Sequence, residues 1–142
     1  MRDEYFVPMN EIVINTQTET GYELPEDVTI YVGALLSSYI DKPNFLPENS
    51  FAEAFSKLER KNITQAKELG DTCLFLSGVF PKYGRRYGLN KRYYREIGSS
   101  SYDIASMRMS HEVFSLLSTH FDFVADFITL CTHNKNKTII IG

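Results

Sequence analysis

Residues 63–79, ITQAKELGDTCLFLSGV, constrain the fold more than any other stretch of this chain. Their spacing predicts a helix, and its second half is apolar on most sides. A surface helix needs one apolar stripe, whereas a helix that is apolar all round has to be enclosed. The stretch therefore predicts a central helix with others packed around it. Pro81 stops it.

The flanking sequence supplies the surrounding helices. Pro25, Glu26 and Asp27 suit a helix start, where a fixed φ and negative charge are favoured. Val28, Tyr31, Val32, Leu35, Leu36 and Tyr39 then form one apolar stripe, which DKPNFLPENS ends with two prolines. Ser50 and Glu53 have capping-box spacing. Phe51, Ala54, Phe55 and Leu58 line a short helix after them. Asn90 is a candidate cap for a helix over 91–108, with Tyr94, Ile97, Gly98, Ser101, Tyr102 and Ala105 on one face. Ser110 to Thr132 reads as one long helix or two shorter ones, with a kink near Phe121 to Phe123. The ends look different. Residues 1–24 read as irregular, with a short strand at Glu11 to Asn15, and the tail from 133 carries strand-forming Thr138 to Ile141. Pairing these two would make a small ribbon. At 142 residues the chain is one domain by length, able to bury roughly 68–70% of its unfolded surface. The expectation is an all-α orthogonal bundle of five to six helices forming a single globular domain over 1–142, with a short terminal β-ribbon.

The order of pieces also resembles a group of uncharacterised small all-helical bacterial proteins. IYVGALLSSYID is followed by LGDTCLFLSGVFP, then RRYGLNKRYYREIGSSSYDIAS, then VFSLLSTHFDFVADFI. The shared pattern is Leu-Gly-Asp, Gly-x-Phe-Pro, a basic pair, Tyr-Tyr, then Gly and Ser-x-Tyr, over roughly residues 28–131. The resemblance implies an all-α fold and a bacterial source. It implies no activity, and residues 1–24 and the TIIIG tail lie outside it.

Charge is segregated along the chain. Residues 1–59 hold three bases against eleven acids (−8), and residues 60–142 hold twelve bases against seven acids (+5). Either the two parts attract each other, or the basic part is free to attract an external anion. Cys73 and Cys131 have no metal or redox spacing, which points to packing roles in a reducing compartment. The N-terminal residues do not resemble a basic leader, and no apolar run approaches the ~20 residues a bilayer span needs. The expected location is cytoplasmic, with no membrane partner.

Three features are candidates for function. The first is Asp71, a carboxylate inside the apolar central helix. Unpaired, it would be costly, so it needs a partner or water. Arg85, Arg86 and the hydroxyls of Tyr94 and Tyr102 are the candidates. It is then either a buried pair pinning the loop or a ligand-binding carboxylate. The second is PKYGRRYGLNKRYYREIG, residues 81–98, where Lys82, Arg85, Arg86, Lys91, Arg92 and Arg95 are interleaved with four tyrosines. Arginine forks grip phosphate and tyrosine rings stack on bases. However, Tyr94 and Tyr102 fall on the apolar face, and the pI of 5.6 is low for a nucleic-acid domain. The third is the set of helical glycines, Gly70 and Gly98 above all, which suggest close helix crossing or a ligand against backbone. His111, His120 and His133 lack metal-ligand spacing, no cofactor motif is present, and no catalytic set is recognisable. The leading expectation is a non-enzymatic interaction or regulatory module that uses the basic loop 81–95 to meet a protein or small anionic partner. The alternatives are a small-anion pocket or enzyme around Asp71, and single-stranded nucleic-acid binding.

Overall fold

The computed structural model describes residues 5–42, 45–46, 50–58, 62–85, 88–108 and 111–133. These form seven helices: α1 Phe6–Thr20, α2 Glu26–Tyr39, α3 Phe51–Ser56, α4 Ile63–Val79, α5 Lys91–Arg108, α6 Glu112–Thr119 and α7 Phe121–His133. There is no strand among the described residues. The protein is an all-α bundle with more helices than the five to six expected.

The helix at 63–79 is central, as its pattern requires. Every residue of α4 from Leu69 to Val79 is buried. Its most extensive packing is against α5 and then α7, while α1 lies on α2 and α6 lies on α5. One hydrophobic cluster runs through all seven helices. The caps read from the sequence also form. Ser50 accepts from the Glu53 amide, and Asn90 from the amides of Arg92 and Tyr93. Each satisfies first-turn donors that would otherwise lack a partner.

Two close approaches explain helical glycines. A Cβ at Gly70 would lie 2.8 Å from the Tyr102 ring. A Cβ at Gly98 would run into the Phe121 ring and come within 2.8 Å of Cys73 Cβ. Both glycines let α5 lie tightly on α4, as expected for a crossing built on small residues. The helical run after Ser110 is broken at His120, and α6 and α7 bend by 85° there. No single described helix is long and apolar enough to cross a membrane.

The N-terminal expectation needs correcting. Residues 6–20 are helical, and Glu11 to Asn15, read as a strand, lie in the middle of α1. Met9, Val13 and Thr16 are its buried face. Branched Ile12, Val13 and Ile14 favour a strand locally, but packing against α2 outweighs so weak a preference. The helix stops at Gly21, whose φ of 79° is left-handed, a conformation that glycine adopts without steric cost. The expected ribbon therefore loses its first strand. Its other half, Thr138 to Ile141, lies outside the described residues.

Candidate functional site

Asp71 is buried on α4, and its partners come from three helices. Its Oδ1 accepts from the Tyr31 hydroxyl of α2 and the Tyr102 hydroxyl of α5, each at 2.6 Å. Its Oδ2 accepts from the Lys67 ammonium, one turn earlier on α4, at 2.7 Å. Three donors thus offset the desolvation that would make an isolated carboxylate untenable here. The aromatic rings are packed as well. Tyr31 meets Phe114 of α6 edge to face at 5.7 Å, and Tyr39 stacks on Phe75 at 4.9 Å.

This environment keeps the phenols protonated. Burial, reinforced by the Asp71 carboxylate, holds Tyr31 and Tyr102 far above the ordinary tyrosine value. Burial also pushes Tyr39 up to about 12, with its hydroxyl 3.1 Å from Thr72 Oγ1. Neutral phenols are donors to Asp71, not bases. The Cys73 thiol is likewise raised by burial, which removes its thiolate as a nucleophile near neutral pH.

The cluster opens on one side. A cleft of about 220 Å³ between α2 and α4 is lined by Tyr31, Ser38, Tyr39, Lys42, Lys67 and Asp71, among others. The Lys42 ammonium sits 4.6 Å over the Tyr39 ring, and that of Lys67 5.4 Å over Tyr31. Of the expected Asp71 partners, Tyr102 is present. Arg85 and Tyr94 neither bond to Asp71 nor line this cleft, and Arg86 lies outside the described residues. Among the described residues, Asp71 is held by Tyr31, Lys67 and Tyr102, and the cleft beside it is lined by Tyr31 and Lys67. Lys67 was legible as the residue four positions before Asp71, on the same helix face. Tyr31 sits in the apolar stripe, where its ring masks the role of its hydroxyl.

The basic segment divides. Lys82, Arg85 and Lys91 are exposed and make no ion pair among the described residues. Arg92 is exposed and lies 3.3 Å from Asp122 of α7. Arg95 is only 4% exposed and bridges Asp122 at 3.3 Å and Asp126 at 2.8 Å. It is therefore a helix tie rather than a docking cation. Seven residues separate it from Tyr102, so it belongs to the buried face of α5, a spacing that foretells its burial. Of the described tyrosines, Tyr94 is buried and packs edge to face on Phe51, Tyr83 and Tyr93, the last two themselves half-buried.

Within the described residues, the ion pairs all fall after residue 60. Among the described residues, no ion pair joins the acidic first part to the basic loop. No group of three His, Cys, Asp or Glu side chains among the described residues is placed to hold a metal ion. No protein-family model, curated protein or solved structure matches the chain.

Proposed function

We propose that this chain is a non-enzymatic interaction module that docks an acidic protein partner on the loop and helix start at 81–95. One observation carries the reading: Lys82, Arg85 and Lys91 stand exposed with no carboxylate partner among the described residues, while Asp71 is already served by three donors. The first turn of α5 holds no acid, so its positive end adds to the field of these cations instead of being offset. Charge of one sign on a surface steers an oppositely charged partner more than it tightens the final complex. Burial of Tyr94, with Tyr83 and Tyr93 half-buried edge to face on it, leaves less ring surface for base stacking, which favours a protein over single-stranded nucleic acid.

The test is fluorescence anisotropy with a labelled polyglutamate peptide, with an oligothymidine as competitor. The expected result is peptide binding that weakens steeply with salt. The Lys82→Ala/Arg85→Ala/Lys91→Ala variant should bind about tenfold more weakly, ~1.4 kcal/mol, the sum of three exposed charge contacts. Equal binding by wild type and variant, or preference for the oligonucleotide, would overturn the reading.

A second reading, a small-anion pocket at Asp71, is favoured by the open cleft and its two ammonium groups. A carboxylate or phosphate that raises the melting temperature of wild type but not of Lys42→Met/Lys67→Met would select it over the first.

A further inference from the structure

A second cavity lies apart from Asp71. Where α5 passes the junction of α6 and α7, a cavity of about 420 Å³ is lined by Arg92, Arg95, Glu96 and Ser99 of α5, Ser118 of α6 and Asp122 of α7, among others. It shares no residue with the Asp71 cleft, and Lys82, Arg85 and Lys91 do not line it. One wall is held by a reciprocal clasp. The Ser99 hydroxyl donates to the Ser118 carbonyl and the Ser118 hydroxyl to the Ser99 carbonyl, each at 2.8 Å. This ties α5 to α6, so the wall is set before any ligand arrives. Glu96 is exposed on the lining, as are Ser100 and Thr119. Their side chains take part in no ion pair or hydrogen bond among the described residues.

We propose that this cavity binds a neutral polyhydroxyl compound, a monosaccharide or a similar polyol. Charge is the first ground. The Arg92 and Arg95 guanidiniums both meet Asp122, at 3.3 Å, and Arg95 also meets Asp126 at 2.8 Å. The cations of the wall are thus already matched, and the unpaired Glu96 carboxylate repels an anion. A cationic ligand would in turn face two guanidiniums. Hydrogen-bond chemistry is the second ground. A hydroxyl both donates and accepts. The lining offers carboxylate acceptors at Glu96 and Asp122, a donor at Arg92, and hydroxyls at Ser100 and Thr119. A ligand rich in hydroxyls meets all three kinds of group. Arg95 adds spare capacity: it is 4% exposed, and its Nε has no partner among the described residues. A buried donor without an acceptor is costly, and a ligand oxygen drawn to that guanidinium would offset the cost. The volume falls within the roughly 300–1,000 Å³ of small-ligand clefts. The Ser99–Ser118 clasp limits the ordering cost of binding.

The experiment is an amide NMR titration of the isotope-labelled full chain with glucose, ribose and myo-inositol. Glutamate and inorganic phosphate serve as charged comparisons. At least one polyol should shift the amides of Ser99, Ser100, Ser118 and Thr119 saturably. Glu96→Ala/Ser100→Ala should bind that polyol about tenfold more weakly, through the loss of two ligand contacts. Its melting temperature without ligand should match wild type, because both side chains are exposed. Lys42→Met/Lys67→Met should bind the polyol as wild type does, which separates this cavity from the Asp71 cleft. No saturable shift with any of the three polyols, or a response of the same amides to glutamate or phosphate instead, would overturn the proposal. So would equal affinity in Glu96→Ala/Ser100→Ala, or weakened binding in Lys42→Met/Lys67→Met.

Discussion

Asp71 and Arg95 are both buried and charged, but their surroundings give them different weight. Removing the Asp71 carboxylate leaves the Tyr31 and Tyr102 hydroxyls and the Lys67 ammonium without their acceptor. Tyr102 is buried and Tyr31 half-buried, whereas Lys67 is 38% exposed and can turn to water; stranded buried donors cost about 1–3 kcal/mol each, so Asp71→Ala is expected to lose about 3 kcal/mol in urea unfolding. Arg95 is the opposite case. Its carboxylate partners are half-exposed, at 48% and 54% of their side chains, and water can take over when the guanidinium is gone. Its Nε is buried and has no partner among the described residues, which is already a cost. Replacing a buried ion by an apolar side chain of similar length is often neutral, so Arg95→Met should stay within about 1 kcal/mol of wild type. A large loss for Arg95→Met together with a small one for Asp71→Ala would reverse this ordering.

At the scale of elements, the α4–α5 crossing depends on what is missing from its surface. Gly98 faces Phe121 and Cys73 with no room for a methyl group, and both neighbours are buried. Alanine there would regain up to about 1 kcal/mol of helix propensity, against an overpacking cost of about 1–3 kcal/mol. Gly98→Ala is therefore expected to lower the melting temperature by a few degrees, whereas Ser100→Ala, exposed on the same helix, should leave it unchanged or raise it. Calorimetry on the two variants checks the contrast, and a rise for Gly98→Ala would mean that the crossing is looser than described. The glycine spacing made this crossing legible in the sequence. The character of α1 was not legible in the same way. Its alternating and branched residues fit a strand locally, and only the burial of Met9, Val13 and Thr16 against other elements makes it a helix.

For the molecule as a whole, the raised tyrosines tie stability to alkaline pH. The folded state holds the Tyr39 proton up to about 12, and burial beside Asp71 holds those of Tyr31 and Tyr102 well above the ordinary tyrosine value. An unfolded chain releases such protons near pH 10. Above that value the native state binds more protons than the unfolded state, so stability falls as pH rises; below it these groups contribute fully. The urea midpoint should be flat to about pH 9.5 and decline from about pH 10. A midpoint unchanged at pH 11 would mean that these phenols reach solvent in the native state.

The sequence by itself determined the class of fold: the central helix, its neighbours α2 and α5, and the caps at Ser50 and Asn90, while it left open whether the last helical run is one helix or two. These follow from periodicity and local chemistry, which act over one or two turns. It also marked Asp71 as needing a partner, because burial of a carboxylate has a cost wherever it occurs. Only the tertiary structure decided who that partner is. Tyr31 and Tyr102 lie 40 and 31 residues from Asp71, and a hydroxyl inside an apolar stripe gives no sign of where it points. The division of the basic segment was likewise a matter of packing. Lys82, Arg85 and Arg95 carry the same charge, but only the face of α5 on which Arg95 falls brings it to Asp122 and Asp126.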